Sequence, residues 1–195
     1  IDQVYKEKSF FHKPFFSIED NIVGESYEAK LLKIKKYLNK NNSDLMFITA
    51  PENVAWLLNI RGFDNPNSPI PNCHLLIDKK NNPYLICEKK KAKKIILEKK
   101  IRKKQVIEFK NFEKLIKDLK GNKIIIDYKT CSLFFENILK KKFKILKKED
   151  PIYLFKSIKS NKEIKNMISS HIIDGAALTK FLYWMKIKNR KKISE

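Results

Sequence analysis

Few of the side chains in this chain that could hold a cation or move a proton fall at spacings that would let them cooperate. His171 and Asp174 lie three residues apart, a separation that puts both on one side of a helix. There they could share a cation, or act as a base with its orienting carboxylate. Two ligands do not complete a metal site, Gly175 follows at once, and no third ligand is near in sequence, so packing or capping is the reading the residues favour. His12 and His74 are too dispersed to form a relay with His171. Glu149, Asp150 and Glu163 fit loop and helix-start carboxylates rather than a general acid/base pair. Four glycines in all leave no room for a phosphate-cradling loop. Cys73, Cys87 and Cys131 are odd in number, sit in apolar stretches and show no Cys-x-x-Cys spacing, which predicts three buried, reduced thiols.

The net charge of +21 raises the question of nucleic acid or an anionic membrane surface. Of the 43 basic residues only Arg61, Arg102 and Arg190 are arginines, leaving 40 lysines, and 27 isoleucines stand against 4 valines. Those preferences fit AT-rich codons, which push solvent-facing positions toward lysine without selecting a basic site. Phosphate recognition favours arginine, whose planar fork binds two oxygens at once. The lysines also run along the whole chain, densest at Lys89-Lys90-Lys91, Lys93-Lys94 and Lys99-Lys100, so a solvated surface is expected. No apolar run approaches the ~20 residues of a membrane-spanning helix, and the first residues lack the pattern of a secretory leader. The default expectation is a cytoplasmic protein with no membrane partner.

The elements that must position these residues alternate between strand and helix. Residues 1–24 are an aromatic-rich lead-in, with Phe10, Phe11, Phe15 and Phe16 around His12 and Pro14, expected to lie extended along the surface. Ala29, Leu31, Leu32, Ile34, Tyr37 and Leu38 recur at helical spacing until Asn41-Asn42. A strand at 45–49 feeds a helix with Pro51 in its first turn. A Pro-rich loop over 63–72 precedes two apolar runs, 73–78 and 83–87, that fit a hairpin. Then follow a lysine-rich helix near 90–99, a strand at 105–109, a helix at 112–119 closed by Gly121-Asn122, a strand at 123–127, a helix at 130–140 and a strand at 143–147. This alternation implies an α/β layered domain.

Asp150-Pro151 and residues 157–160 then separate that unit from a long helix. Ser160-Asn161-Lys162-Glu163 is a capping box, in which serine and glutamate satisfy each other's backbone donors. Ile164, Met167, Ile168, Ile172, Leu178, Leu182 and Met185 form one apolar stripe, which must fold back, dimerise or face a further domain. The chain opens on Ile1 and stops at Lys192-Ile193-Ser194-Glu195 without a terminating glycine or proline, as expected of a piece of a longer protein.

Two stretches carry more than composition. Pro51-Glu52-Asn53-Val54-Ala55-Trp56-Leu57-Leu58-Asn59-Ile60-Arg61-Gly62, continuing through Phe63-Asp64 to Pro69, resembles the second domain of the aminopeptidase P branch of the creatinase/prolidase family, with its Trp-Leu-hydrophobic-Asn-hydrophobic-Arg-Gly run. About a hundred residues on, Lys159-Ser160-Asn161-Lys162-Glu163, with Met167, His171-Ile172-Ile173-Asp174-Gly175-Ala176-Ala177-Leu178 and the stretch 181–184, resembles the entry into that family's catalytic domain.

The resemblance implies an α/β fold with a mixed sheet and flanking helices, ribonuclease H-like, followed by a long C-terminal helix. Its expected organisation is a lead-in or inter-domain linker at 1–24, a second creatinase-like N-terminal domain at 25–157, and the start of a pita-bread catalytic domain at 158–195. The implied reaction is removal of the N-terminal residue that precedes proline, using two divalent metals, commonly manganese, that activate a bridging water. The family's ligands, two aspartates, one histidine and two glutamates, fall beyond Glu195, so no catalytic residue, metal ligand or cofactor is assigned to this chain, which alone is expected to be inactive. His171 and Asp174 match family positions that are not ligands. Arg61 is the candidate for substrate access; the alternative is that it pins the Pro-rich loop through Asp64. The implied partners are the protein's own catalytic domain, peptides with proline second, and for the apolar stripe a homodimer as an alternative cover.

Two other functions stay open on sequence: a family member that has lost catalysis and become a binding protein, and a lysine-rich nucleic-acid-binding module. Binding that releases counterions weakens steeply with salt. The expected result of a salt titration with duplex or single-stranded oligonucleotides is no sub-micromolar affinity at physiological ionic strength; tight binding with a steep salt slope would favour the nucleic-acid module.

Overall fold

The computed structural model describes residues 13–65 and 67–187. Its elements in chain order are β1 (Phe16–Ser17), α1 (Asp20–Val23), α2 (Tyr27–Lys40), β2 (Leu45–Ile48), α3 (Pro51–Leu58), β3 (Ile60–Arg61), β4 (His74–Asp78), β5 (Pro83–Ile86), α4 (Lys93–Leu97), β6 (Val106–Ile107), α5 (Phe112–Asp118), β7 (Lys123–Ile126), α6 (Leu133–Leu139), β8 (Lys144–Lys147), α7 (Ile152–Ser157) and α8 (Asn161–Ile187).

Six strands form one sheet in the order β6-β5-β4-β2-β7-β8, and β1 pairs with β3 in a separate two-stranded ribbon. Only β4 runs against the rest of the six: β2 pairs antiparallel with β4, β4 with β5, and the remaining pairs are parallel. The reversal is made by the tight β4–β5 turn, where Asn81 takes a left-handed φ of 70° and Asp78 Oδ1 accepts the Asn82 N–H at 2.8 Å. The mixed sheet with helices on both sides is the α/β architecture expected from the alternation of elements.

Strand periodicity sorts the core into two layers. Met46, Ile48, Leu75, Ile77, Leu85 and Ile125 face the layer made with α2 and α3, whereas Leu45, Phe47, Leu76, Ile86, Ile124 and Ile126 face the layer made with α5 and α6. Register keeps each layer consistent, since Phe47 stands opposite both Leu76 and Ile126, and Met46 opposite Ile77 and Ile125. Each of these strand residues is essentially inaccessible, as expected of strands covered on both faces.

Several expectations need correction. The strand at 105–109 shrinks to Val106–Ile107 between two 3-10 turns, and the helix near 90–99 to Lys93–Leu97, where Ile95 is the buried anchor. Residues 152–157, between the two expected breaks at 150–151 and 157–160, form α7, and its Ile152 and Phe155 pack into the first layer. The described part of the lead-in is not a surface strap, for Phe15 is fully buried and Phe16–Ser17 pairs with β3; Phe10, Phe11 and His12 lie outside the described residues. Cys131 is only half-buried, while Cys73 and Cys87 are fully buried. Finally, the apolar surface of α8 is no single stripe: Phe181 stands half a turn around from Ile172, and Ile173, Tyr183, Trp184 and Ile187 add exposed apolar surface on other sides.

α7 is fixed by a buried polar contact. Asn53 Nδ2 donates to Asp150 Oδ2 at 2.7 Å, Ile152 N–H to Asp150 Oδ1 at 2.9 Å, and Lys156 Nζ to Asn53 Oδ1 at 2.7 Å. Burial pushes the Asp150 carboxyl up to about 6, against the pull of those hydrogen bonds and of Lys156. An unfolded aspartate titrates near ~3.9, so between that value and 6 the folded chain holds a proton the unfolded chain lacks, and stability falls as pH rises. Folding free energy in urea, measured at pH 7 and pH 5, is expected to rise in the native chain relative to Asp150→Asn on acidification, by about 1 kcal/mol. Parallel pH profiles for the two proteins would contradict this.

Candidate functional site

The Trp-Leu-Leu-Asn-Ile-Arg-Gly stretch builds a corner where α3 ends, β3 begins and the start of α8 approaches. α3 stops because Asn59 turns left-handed, at φ 51° and ψ 45°, a conformation asparagine tolerates better than most side chains. Asn59 is 1% exposed and acts as a hub. Its Oδ1 accepts from Lys30 Nζ at 2.6 Å, its Nδ2 donates to the Glu25 carbonyl at 2.9 Å and to Asp20 Oδ1 at 3.2 Å, and its own carbonyl accepts from Ile18 N–H and Lys100 Nζ.

Lys30, from α2, is 2% exposed. Its ammonium also donates to the Trp56 carbonyl at 3.0 Å and lies 4.2 Å from the centre of the Trp56 ring, so a helix-terminal carbonyl, an amide oxygen and an aromatic face replace its water. Desolvation still lowers its pKa to about 8, opposed by the Glu163 and Glu25 carboxylates and reinforced by the charge of Arg61. Glu163 belongs to the capping box of α8, where Ser160 N–H donates to Glu163 Oε2 at 2.7 Å and Glu163 N–H to Ser160 Oγ at 3.2 Å. The expected cap is therefore present, and it faces the corner electrostatically.

Arg61 is half-buried on β3. Its Nη1 donates to the Ile60 carbonyl at 2.8 Å and the Ala55 carbonyl at 3.3 Å, while burial lowers its pKa. It does not pin the Pro-rich loop through Asp64: Asp64 Oδ1 accepts from Lys91 Nζ at 2.5 Å and Oδ2 from Asn72 N–H at 2.7 Å. The loop is held instead by that ion pair and by Gly62, where an added Cβ would come within 2.7 Å of Pro71 Cα. The α8 junction has its own close approach at Gly24, with φ +75°, where a Cβ would lie 2.7 Å from Ser160 Oγ. Asn166 Nδ2 donates to the Ile22 carbonyl at 2.8 Å, tying α8 to α1.

The remaining candidates fall elsewhere. His171 Nδ1 pairs with the Met167 carbonyl of its own helix at 2.9 Å, and both His171 and Asp174 are exposed. His74 sits among Phe47, Phe109 and Phe135, pairs with the Thr49 carbonyl at 2.9 Å, and has its pKa lowered by burial, which favours the neutral ring. Among the described residues no three His, Cys, Asp or Glu side chains come together in a way that could hold a metal ion, and no helix is long and apolar enough to cross a membrane. Lysines pair with carboxylates at separate places, Lys33 with Glu25, Lys79 with Asp44, Lys129 with Glu149 and Lys147 with Glu136, and these pairs do not gather on one element. Sequence reasoning missed Lys30 and Asn59 as partners, since 29 residues separate them.

The family profile of the creatinase/prolidase N-terminal domain matches residues 7–163. The chain belongs to that family. This creatinase/prolidase N-terminal domain chain is 30% identical over 181 residues to Xaa-Pro aminopeptidase 1 of Dictyostelium discoideum, covering 92% of the chain and 28% of that relative. It is 25% identical to a probable Xaa-Pro aminopeptidase P of Coprinopsis cinerea, covering 93% of the chain and 32% of the relative. The chain thus spans under a third of the length of the curated relatives it matches. Among solved structures, X-prolyl aminopeptidase from Caenorhabditis elegans, described as a cytosolic enzyme with a di-nuclear active site, superposes with a TM-score of 0.77 at 20% identity, covering 89% of this chain and 29% of that one. The prolidase from Pyrococcus horikoshii gives 0.54 at 26% identity, covering 85% and 43%.

Asn59 does two jobs in this family domain, and two substitutions separate them. Asn59→Gly keeps the left-handed turn but removes the bonds to Lys30, Asp20 and Glu25, an expected loss of ~1–3 kcal/mol in urea unfolding. Asn59→Ala removes the same bonds and adds left-handed strain, a further ~1 kcal/mol. Equal stabilities for the two variants would show that the backbone conformation costs nothing.

Proposed function

We propose that this chain is the non-catalytic N-terminal part of a metal-dependent Xaa-Pro aminopeptidase, a scaffold that positions the catalytic domain and narrows access to it. The observation that carries this reading is the match over 92% of the chain to a relative named Xaa-Pro aminopeptidase 1. In this reading residues 25–157 are the second creatinase-like domain, 1–24 leads into it, and 158–195 opens the catalytic domain. The substrates of the whole protein are peptides with proline second, and the setting is cytoplasmic, like that given for the nematode relative.

The described side chains do not fit a two-metal centre; in this reading a pair of divalent ions, with manganese the expected identity, is held by residues of the parent protein that follow this chain. The residues of this chain act by position. Arg61 spends Nη1 on two carbonyls, and its half-exposed guanidinium has further N–H groups to offer a peptide on its way to the active site.

Expression of this chain with the rest of its protein should give Mn²⁺-dependent release of the N-terminal residue from an Xaa-Pro peptide, abolished by chelator, while residues 1–195 alone release none. No metal-dependent release from the whole protein would overturn the reading. Arg61→Lys in the whole protein is expected to raise KM several-fold with little change in kcat, because the planar fork is lost and the charge kept; unchanged KM would remove Arg61 from the access route.

A further inference from the structure

Cys73 and Cys87 are far apart in sequence but face each other across the β4–β5 hairpin. The ladder pairs His74 with Ile86, Leu75 with Leu85, Leu76 with Tyr84 and Ile77 with Pro83. One step further places Cys73 opposite Cys87. The hydrogen-bond pattern fixes the type of pair. Asp78 N–H donates to the Asn82 carbonyl, Pro83 has no N–H to give, and Cys87 N–H points away from β4 to the Ile107 carbonyl of β6 at 2.9 Å. Alternation along the ladder therefore makes Cys73 and Cys87 a non-hydrogen-bonded pair, the kind in which facing side chains approach most closely, with Cα atoms about 4.5 Å apart. A disulfide needs a Cα separation of roughly 4.4–6.8 Å. Both side chains are fully buried and belong to the same core layer, whereas Cys131 packs against the opposite layer, so the sheet stands between it and the pair.

The surroundings determine how the pair can react. Burial pushes the Cys87 thiol up to about 12 and the Cys73 thiol well above its ordinary value; each of the two also feels the Asp64 carboxylate, which raises its pKa, and the Lys91 ammonium, which pulls it down. Glu88 and Glu108 add to the upward push on Cys87. Lys91 is itself 5% exposed and held by Asp64, in the turn that directly follows Cys87, and its carbonyl accepts the Phe15 N–H at 2.8 Å. Closed, this cover keeps both sulfurs protonated and out of water. Glu88, Lys89 and Lys90 of the turn between Cys87 and Ala92 are exposed, so a local opening of this turn would free Cys87 with the Lys91 cation beside it.

We infer that Cys73 and Cys87 form a redox site that closes to a cross-strand disulfide when hydrogen peroxide reaches it. Cys87 sulfur attacks one peroxide oxygen, breaking the O–O bond and giving a sulfenic acid and water. Cys73 sulfur then displaces the hydroxyl, forming the S–S bond and a second water. Two thiol protons and two electrons leave the protein, and hydrogen peroxide takes up both pairs. The bond would staple the hairpin beneath the Asp64–Lys91 contact and the start of the lead-in strand.

The test is peroxide treatment of the full chain, followed by alkylation under denaturing conditions and mass mapping. Trypsin cuts after Arg61, Lys79, Lys80 and Lys89, so the cysteines fall on peptides 62–79 and 81–89, which only the disulfide joins. The expected product is that linked pair, 2 Da lighter than the sum of the two thiol peptides, slow to form, separated by dithiothreitol and absent in Cys73→Ser. Recovery of both peptides fully alkylated after prolonged exposure would overturn the inference. So would oxidation confined to Cys131, or Cys87 stopping at sulfinic acid with Cys73 still alkylated. Mapping of the native sequence decides the matter even where Cys73→Ser folds poorly.

Discussion

The corner of this domain depends on one buried ammonium. Lys30 enters a site with almost no water, and it stays there because the end of α3 presents the Trp56 carbonyl, the Asn59 amide oxygen and an indole face together. A lysine in hydrocarbon without such partners would sooner lose its proton than remain charged. The cost is visible in its pKa, lowered to about 8, and the compensation in the number of groups that converge on Asn59. The helix end, the ribbon of β1 and β3, and the chain entering α2 are therefore tied through a single asparagine. Moving any one of them leaves a buried donor or acceptor without a partner.

That arrangement explains the sequence run on which the family resemblance rests. Each residue in it has a structural reason: Trp56 for the face that takes Lys30, Asn59 for the left-handed turn and its amide, Arg61 for the carbonyls at the α3 end, and Gly62 for the approach of Pro71. The corner also lies beside the entry to α8, whose Glu163 cap carboxylate acts on Lys30. Gly24 lets α1 meet Ser160 closely, and from there α8 leaves the body with apolar side chains on every side. Exposed apolar surface of this extent marks a protein contact. The domain thus fixes the base of a helix whose length is built to be covered.

Much of the fold was legible in the sequence because its signals were local. The period of α2, the capping box at Ser160, the hairpin punctuation between β4 and β5, and the apolar runs of β2 and β7 all appear where pattern places them. What escaped was non-local. α7 has only Ile152 and Phe155 as core anchors and reads as a linker until Asp150 and Asn53, 97 residues apart in the chain, are seen bonded. Asp64 was one alternative partner for Arg61, yet it pairs with Lys91, which the fold of the Pro-rich loop brings to it. The cysteines show no motif, and their opposition emerges only from hairpin register.

The central proposal is that α8 is where this domain meets the rest of a longer protein. Hydrogen exchange over residues 161–187 tests it most directly, comparing the 195-residue chain with the whole protein. Strong protection of the outer turns, from Ile172 to Ile187, in the whole protein and fast exchange of the same amides in the shorter chain is the result this account predicts. Equal exchange in both would contradict it.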